Sequence, residues 1–161
     1  MKTLKPYYII SGFIVLICGC NPVIKSDFYL PKNYKGEVAI IYGYKTGHEQ
    51  VIKDGRQQFL IPDSGILFTK AHLQYGQVDE KYYIKREKEF KELIPYTFQS
   101  DNSSEKYIYG NRVETILCLN KKNKSISYSI RFFSVGQDID SIANKKRFLF
   151  VSHIKQLLDC Q

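Results

Sequence analysis

Six polar residues have side chains that can act as nucleophiles, acids, bases or cation ligands: Ser64, His48, His72, His153, Asp138 and Asp140. Nucleophilic and acid–base catalysis need two or three such groups within hydrogen-bond reach of one another. These six residues are scattered along the chain, and no spacing between them requires that they meet. The sequence therefore predicts no catalytic residues and a protein that is not an enzyme, with an envelope hydrolase as the alternative.

Each candidate also has a non-catalytic interpretation. Ser64 stands in Pro62 to Gly65, where a β-turn explains a serine as well as a nucleophile does, because Ser bonds its own backbone and Gly adopts positive φ. His48 and Glu49 could form an acid–base pair or simply occupy a solvated loop. Asp138 and Asp140 could bind a cation or stabilise the start of a helix. Because no histidine has a His or Cys partner at ligand spacing, we expect no metal site and no cofactor.

The amino terminus has the organisation of an export signal. Two lysines lie within the first five residues, and an apolar stretch runs from Tyr7 to Ile17. This stretch is too short for a membrane span of about 20 residues but suits the hydrophobic region of a secretory signal. We expect residues 1–19 to be a lipoprotein signal peptide.

The segment that follows resembles the bacterial lipobox. Ile17 stands three residues before Cys20, and the small residue Gly19 stands immediately before it. The acylation chemistry needs a thiol and a small neighbour, so Cys20 is the predicted lipidation site, and Cys18, which follows bulky Ile17, is a poor alternative. Two or three acyl chains, palmitate among them, would hold the protein on a membrane stably. The lipid bilayer is then its first predicted partner.

Two further cysteines, Cys118 and Cys160, remain in the mature chain. In an oxidising envelope they could form a disulfide that fixes the carboxy-terminal segment to the sheet. Because Cys118 stands in an apolar run, burial as a free thiol explains it equally well.

The formal net charge of +8 allows for anionic partners. The basic groups Lys121 to Lys124 and Lys145 to Arg147 fit a hairpin turn and a helix face, or a surface for anionic glycans or lipid headgroups. Export takes the protein away from the nucleic acid of the cell, so no nucleic-acid partner is predicted.

Short β-rich runs separated by turn residues dominate the chain after residue 27. Val38 to Tyr42 and Ile66 to Thr69 are apolar strand candidates, and Asp54-Gly55 is a strong hairpin signal. Ile126 to Val135 alternates apolar and polar residues, as a half-buried strand does. Ser141 to Leu158 is expected to contain a helix, because apolar residues recur there at helical spacing: Phe150 or Val151, Ile154, Leu157 and Leu158.

The predicted fold is mainly β: an antiparallel β-sandwich-like or open-barrel domain with a carboxy-terminal α-helix. We expect residues 20–27 to be a lipidated tether and residues 28–161 to be a single domain, since this length fits one hydrophobic core.

An ordered set of short motifs resembles a family. The motifs are Phe28 to Pro31, Tyr34 to Gly36, Ile61 to Leu67, Lys81 to Tyr83 and Phe132 to Gly136. In this order they resemble a domain of unknown function found in bacterial lipoproteins and secreted proteins. The resemblance covers Phe28 to about Asp140 and implies a compact β-rich domain behind a lipoprotein signal. It implies no activity.

The sequence thus favours a membrane-anchored lipoprotein that acts as a non-catalytic binding or structural component of the cell envelope. Its domain is expected on the extracytoplasmic side, at an outer membrane if the host has one. An unknown envelope protein or glycan is its expected partner. A toxin-immunity or interaction lipoprotein is a further alternative to the hydrolase.

Overall fold

A computed structural model describes residues 23–96, 107–119, 124–136 and 145–160. These residues form nine strands and one helix, in this order: β1 Ile24–Leu30, β2 Gly36–Ile41, β3 Val51–Lys53, β4 Arg56–Leu60, β5 Ile66–Phe68, β6 Val78–Lys85, β7 Phe90–Pro95, β8 Tyr107–Leu119, β9 Ser125–Gly136 and α1 Lys145–Leu157. The predicted tether, 20–27, overlaps β1, because residues 24–27 already belong to this strand.

All nine strands join one open sheet in the order β3-β4-β1-β6-β7-β8-β9-β2-β5. The prediction of a mainly β domain with a carboxy-terminal helix is confirmed. The pairing is mixed, which differs from an all-antiparallel sheet: β1 runs parallel to both β4 and β6, β2 to β5, and β7 to β8. Periodicity along one strand reports burial but not the direction of its neighbours, so the sequence did not reveal these pairs.

The sheet curls until strands distant in its order touch. The ring of Phe28 on β1 lies 5.7 Å from that of Phe133 on β9, although three strands separate β1 from β9. The Tyr82 ring on β6 packs on the same Phe133 at 5.2 Å. The concave face thus encloses a core to which every strand except β3 contributes. The domain is an open barrel with this core inside it.

A second core lies on the outer face of the sheet, beneath α1. On β2, Val38 and Ile40 point into the barrel, whereas Ala39 and Ile41 join the second core. Burial on both faces explains why β2 is an uninterrupted apolar run. Ile154 of α1 and Leu158, the residue that follows the helix, are buried in this core.

The position of α1 matches the predicted helix, with one correction. The spacing suggested Leu157 as a residue of the buried stripe, but its side chain is 45% exposed. Around the helix axis Val151 and Leu158 lie on the same side of Ile154 and pack in the second core, whereas Leu157 lies on the other side, away from this core. A disulfide between Cys118 of β8 and Cys160 fixes the end of the helix to the sheet, with the two Cα atoms 4.7 Å apart.

Candidate functional site

The turn that holds Ser64 uses it as backbone support. The Ser64 hydroxyl oxygen accepts a hydrogen bond from the Ile66 amide at 3.3 Å, and the Gly65 amide donates to the Pro62 carbonyl at 2.9 Å. Gly65 has a φ of 75°, which a β-turn of this kind requires of a glycine. Each of these contacts lies within the turn itself, as the β-turn interpretation predicts.

The three histidines stand on three different segments of the chain, and the segments of His48 and His72 run beside each other. His48 pairs through its backbone with Thr69, and His72 lies in the segment between β5 and β6. His153 is exposed on α1. Glu49, the candidate partner of His48, forms an exposed ion pair with Lys70.

Asp138 and Asp140 lie outside the described residues, as does Cys20. Among the described residues, no group of three or more His, Cys, Asp or Glu side chains could hold a metal ion.

The most distinctive polar group in the fold is Arg131, which points into the barrel. On β9 it shares a face with Phe133 and Val135, both members of the enclosed core, and only 8% of its surface is exposed. Its Nη1 donates to Glu80 Oε1 and, at 3.3 Å, to Asn111 Oδ1.

Glu80 accepts hydrogen bonds from three directions. It stands on β6, two residues before Tyr82, whose hydroxyl donates to Glu80 Oε2 at 2.8 Å. Asn111 donates from its Nδ2 to the same oxygen at 2.6 Å. Asn111 lies where the pairing of β8 with β9 shifts register, and this irregularity places its side chain beside the ion pair. Four side chains from β6, β8 and β9 therefore form one network, which we call the barrel cluster: Glu80, Tyr82, Asn111 and Arg131.

Burial controls protonation around the barrel cluster. Desolvation, followed by the negative charge of Glu80, raises the pKa of Tyr82 far above its ordinary value. Burial also raises the pKa of Tyr42, although the Arg131 charge acts in the opposite direction. Both phenols therefore remain protonated at neutral pH and can only stabilise a negative charge by donating.

The hydrogen bonding of the barrel cluster suits a structural or binding role better than catalysis. Both oxygens of Glu80 already accept hydrogen bonds, so this carboxylate is not positioned as a free general base. Within the barrel cluster, the Arg131 Nε donor is buried without a hydrogen-bond partner. The guanidinium carbon lies 5.8 Å from the centre of the Phe28 ring, a cation–π contact that partly compensates.

Sequence reasoning missed the barrel cluster. A signal was present in β9, because Arg131 interrupts the face that carries Phe133 and Val135. A charged residue on a strand face that is otherwise buried needs a partner of opposite charge. The sequence did not indicate that this partner is Glu80, 51 residues away.

A second ion cluster connects the beginnings of β1, β4 and β6. Arg56 donates from Nε to Asp27 and from Nη1 to Asp79, each at 2.6 Å. Its Nη2 donates to the carbonyls of Ser26 and Asp79. The hydrogen bond from Arg56 lowers the pKa of the Asp79 carboxyl. Because every Arg56 nitrogen is engaged, this cluster fixes the amino end of β1 and offers no free cation.

Three aromatic side chains pack together on the outer face of the sheet, near the carboxy end of β1. The rings of Tyr29 and Tyr83 stack at 5.1 Å, and Phe90 packs edge-on against Tyr29, also at 5.1 Å. The stacking covers one face of each tyrosine ring and stabilises the pairing of β1 with β6.

The fold and the buried side chains together define the class of this protein. It is an open β-barrel domain with a buried ion pair and a terminal helix that a disulfide links to the sheet. The chain belongs to a family of unknown function (DUF6843), whose model matches residues 24–139. The match begins at the first residue of β1 and ends before α1. The predicted resemblance to a domain of unknown function is thereby confirmed.

A solved structure has a similar fold. It is a crystal structure described as "Putative Lipoprotein from Bacillus anthracis", with a TM-score of 0.54 and 13% sequence identity. The similarity covers 84% of this chain and 96% of that one. No curated protein matches the chain. In the described part of the chain, no helix has the length and apolar character needed to cross a bilayer.

Proposed function

We propose that this protein is a bacterial lipoprotein, anchored through acylated Cys20, whose domain serves as a non-catalytic binding or structural component of the cell envelope. One observation carries the proposal: the order of basic residues, short apolar stretch and Gly19-Cys20, with a folded strand beginning at Ile24. A domain that starts four residues after the acceptor cysteine fits a protein processed at that cysteine.

Two further observations support the proposal. The similar fold from Bacillus anthracis is described as a lipoprotein, and it matches this chain over 96% of its own length. The saturated hydrogen bonding of Glu80 favours a stable scaffold over an acid–base site. An envelope protein or glycan is the proposed partner, and the extracytoplasmic side of a membrane is the proposed location.

Metabolic labelling of the full chain with an alkyne analogue of palmitate tests the anchor. Wild type is compared with Cys20→Ala and with the matched control Cys18→Ala in a bacterial host. We expect label on wild type and on Cys18→Ala but none on Cys20→Ala, because only Cys20 follows a small residue. Persistent labelling of Cys20→Ala would contradict the assignment of this site.

The non-catalytic role needs a separate measurement. Purified protein is screened against ester, amide and glycoside substrates, and any turnover is retested with His48→Ala, His72→Ala and His153→Ala. We expect no turnover that depends on these residues. A hydrolytic activity that disappears with one histidine would establish the hydrolase alternative instead.

A further inference from the structure

The outward side of α1 exposes large apolar side chains that neither core uses. Phe148 is 73% exposed and Leu149 is 62% exposed, whereas Ile154 and Leu158 on the opposite side are buried beneath the helix. Both exposed residues lie in the first half of the helix, next to each other. These adjacent Phe and Leu side chains leave most of their surface outside both cores and form an apolar surface available for contact.

The charge of α1 is of one sign. Its sequence contains the cations Lys145, Lys146, Arg147 and Lys155 and no acidic residue. Three of the cations occupy the first turn, where the positive end of the helix dipole makes cations unfavourable. The stability of the isolated helix therefore does not explain this arrangement, whereas a negatively charged surface next to the helix would compensate it.

We propose that the outward side of α1 is a membrane-contact face, on which Phe148 and Leu149 enter the interfacial layer of a bilayer rich in anionic lipid. The positive charge of the helix attracts the anionic headgroups. Apolar residues combined with basic residues are the features by which a helix lies on a membrane surface. This inference rests on the proposed anchor at Cys20, which brings the domain to the bilayer.

The short segment between Cys20 and β1 favours the bilayer, rather than a distant protein, as the partner of the outward side of α1. Only four Cα steps separate Cys20 from Ile24, which span at most about 14 Å when fully extended. An anchored domain is therefore held close to the headgroups, and this raises the effective concentration of lipid around the domain. Contact through α1 would also fix the orientation of the domain on the membrane, which an acyl anchor alone does not.

Tryptophan fluorescence provides a direct test, because the protein contains no tryptophan. Phe148→Trp places a single reporter on the proposed face, and Leu60→Trp places a matched control on β4, where Leu60 is 67% exposed. The acylated mature proteins are reconstituted into vesicles of phosphatidylcholine with or without phosphatidylglycerol, containing lipids brominated on their acyl chains. Vesicle flotation and the intact mass report anchoring independently of fluorescence.

We expect bromolipid quenching and a blue shift for Phe148→Trp in anionic vesicles, with Leu60→Trp remaining unquenched. Replacing Lys145, Lys146 and Arg147 together by Gln should weaken the association about fivefold for each cation removed, so that quenching requires a larger fraction of anionic lipid. Equal quenching of the two reporters, or quenching that ignores lipid charge, would overturn the membrane-contact face.

The two proposals fail in different ways. Protein that floats with the vesicles but leaves Phe148→Trp unquenched refutes the contact face and leaves the anchor intact; a face that binds another protein would give this result. Protein without the acyl mass refutes the anchor. In that case Phe148→Trp quenching by added anionic vesicles still decides whether the face binds membrane.

Discussion

The buried ion pair between Arg131 and Glu80 provides a quantitative test of the barrel cluster. The two side chains are only 10% and 8% exposed, so breaking the pair leaves an uncompensated charge in the barrel. Removing one member of a buried pair costs about 3–5 kcal/mol. We therefore expect Arg131→Met to lower the free energy of unfolding by about this amount, because Glu80 then keeps only its Tyr82 and Asn111 donors.

The double variant Arg131→Met/Glu80→Gln separates charge burial from packing. An amide at position 80 can still accept from Tyr82, and no charge remains in the barrel. The double variant should therefore be less destabilised than the sum of the single variants, by up to about 3 kcal/mol for such coupled neighbours. Lys70→Met is the control, since its ion pair with Glu49 is largely exposed and should contribute about 1 kcal/mol or less.

Urea unfolding followed by far-ultraviolet circular dichroism measures all four variants on one scale. A shift in midpoint with an unchanged m-value reports stability rather than a change in the denatured state. The reasoning would be refuted if Arg131→Met cost no more than Lys70→Met, or if the single effects of Arg131→Met and Glu80→Gln added without coupling.

Three further predictions concern the turn at Gly65, a buried phenol and the disulfide. A Cβ on Gly65 would lie 1.9 Å from the Tyr34 hydroxyl, whereas one on Gly55 meets nothing within 4 Å at a similar φ. Gly65→Ala should therefore unfold at a lower urea concentration than Gly55→Ala, with a free energy of unfolding lower by about 1–3 kcal/mol. Equal urea midpoints for the two variants would contradict this prediction. Burial raises the pKa of Tyr34 to about 12. The stability that the protonated phenol contributes is therefore complete below the ordinary tyrosine pKa of about 10 and is lost as the pH rises from 10 towards 12. Tyr34→Phe should reduce this loss of stability between pH 10 and pH 12, and an unchanged pH profile would count against the reasoning. The double variant Cys118→Ser/Cys160→Ser opens a loop spanning 42 residues and should lower the free energy of unfolding by at most about 4 kcal/mol. Urea unfolding with and without reductant measures this loss. An effect of reductant on the double variant would point to a cause other than this disulfide.

The local elements could be predicted from sequence because nearby residues decide them. Asp54 and Gly55 both have positive φ, as the predicted hairpin turn between β3 and β4 requires. The turn ending at Gly65 and the helix around Ile154 follow equally from local chemistry and periodicity. The export signal and the acceptor Cys20 are likewise readable from a single short segment, and they remain a prediction for the labelling experiment.

The sequence by itself determined most of the strands and turns and most of the apolar faces, because φ preferences and periodicity act over a few residues. It did not reveal that β1 begins at Ile24. Tertiary structure alone decided that β1 lies between β4 and β6, and that the sheet curls until Phe28 meets Phe133. It also brought Arg131 to Glu80. Such contacts join residues far apart in the chain, and their selection depends on how all nine strands bury their apolar faces together, which no local pattern encodes.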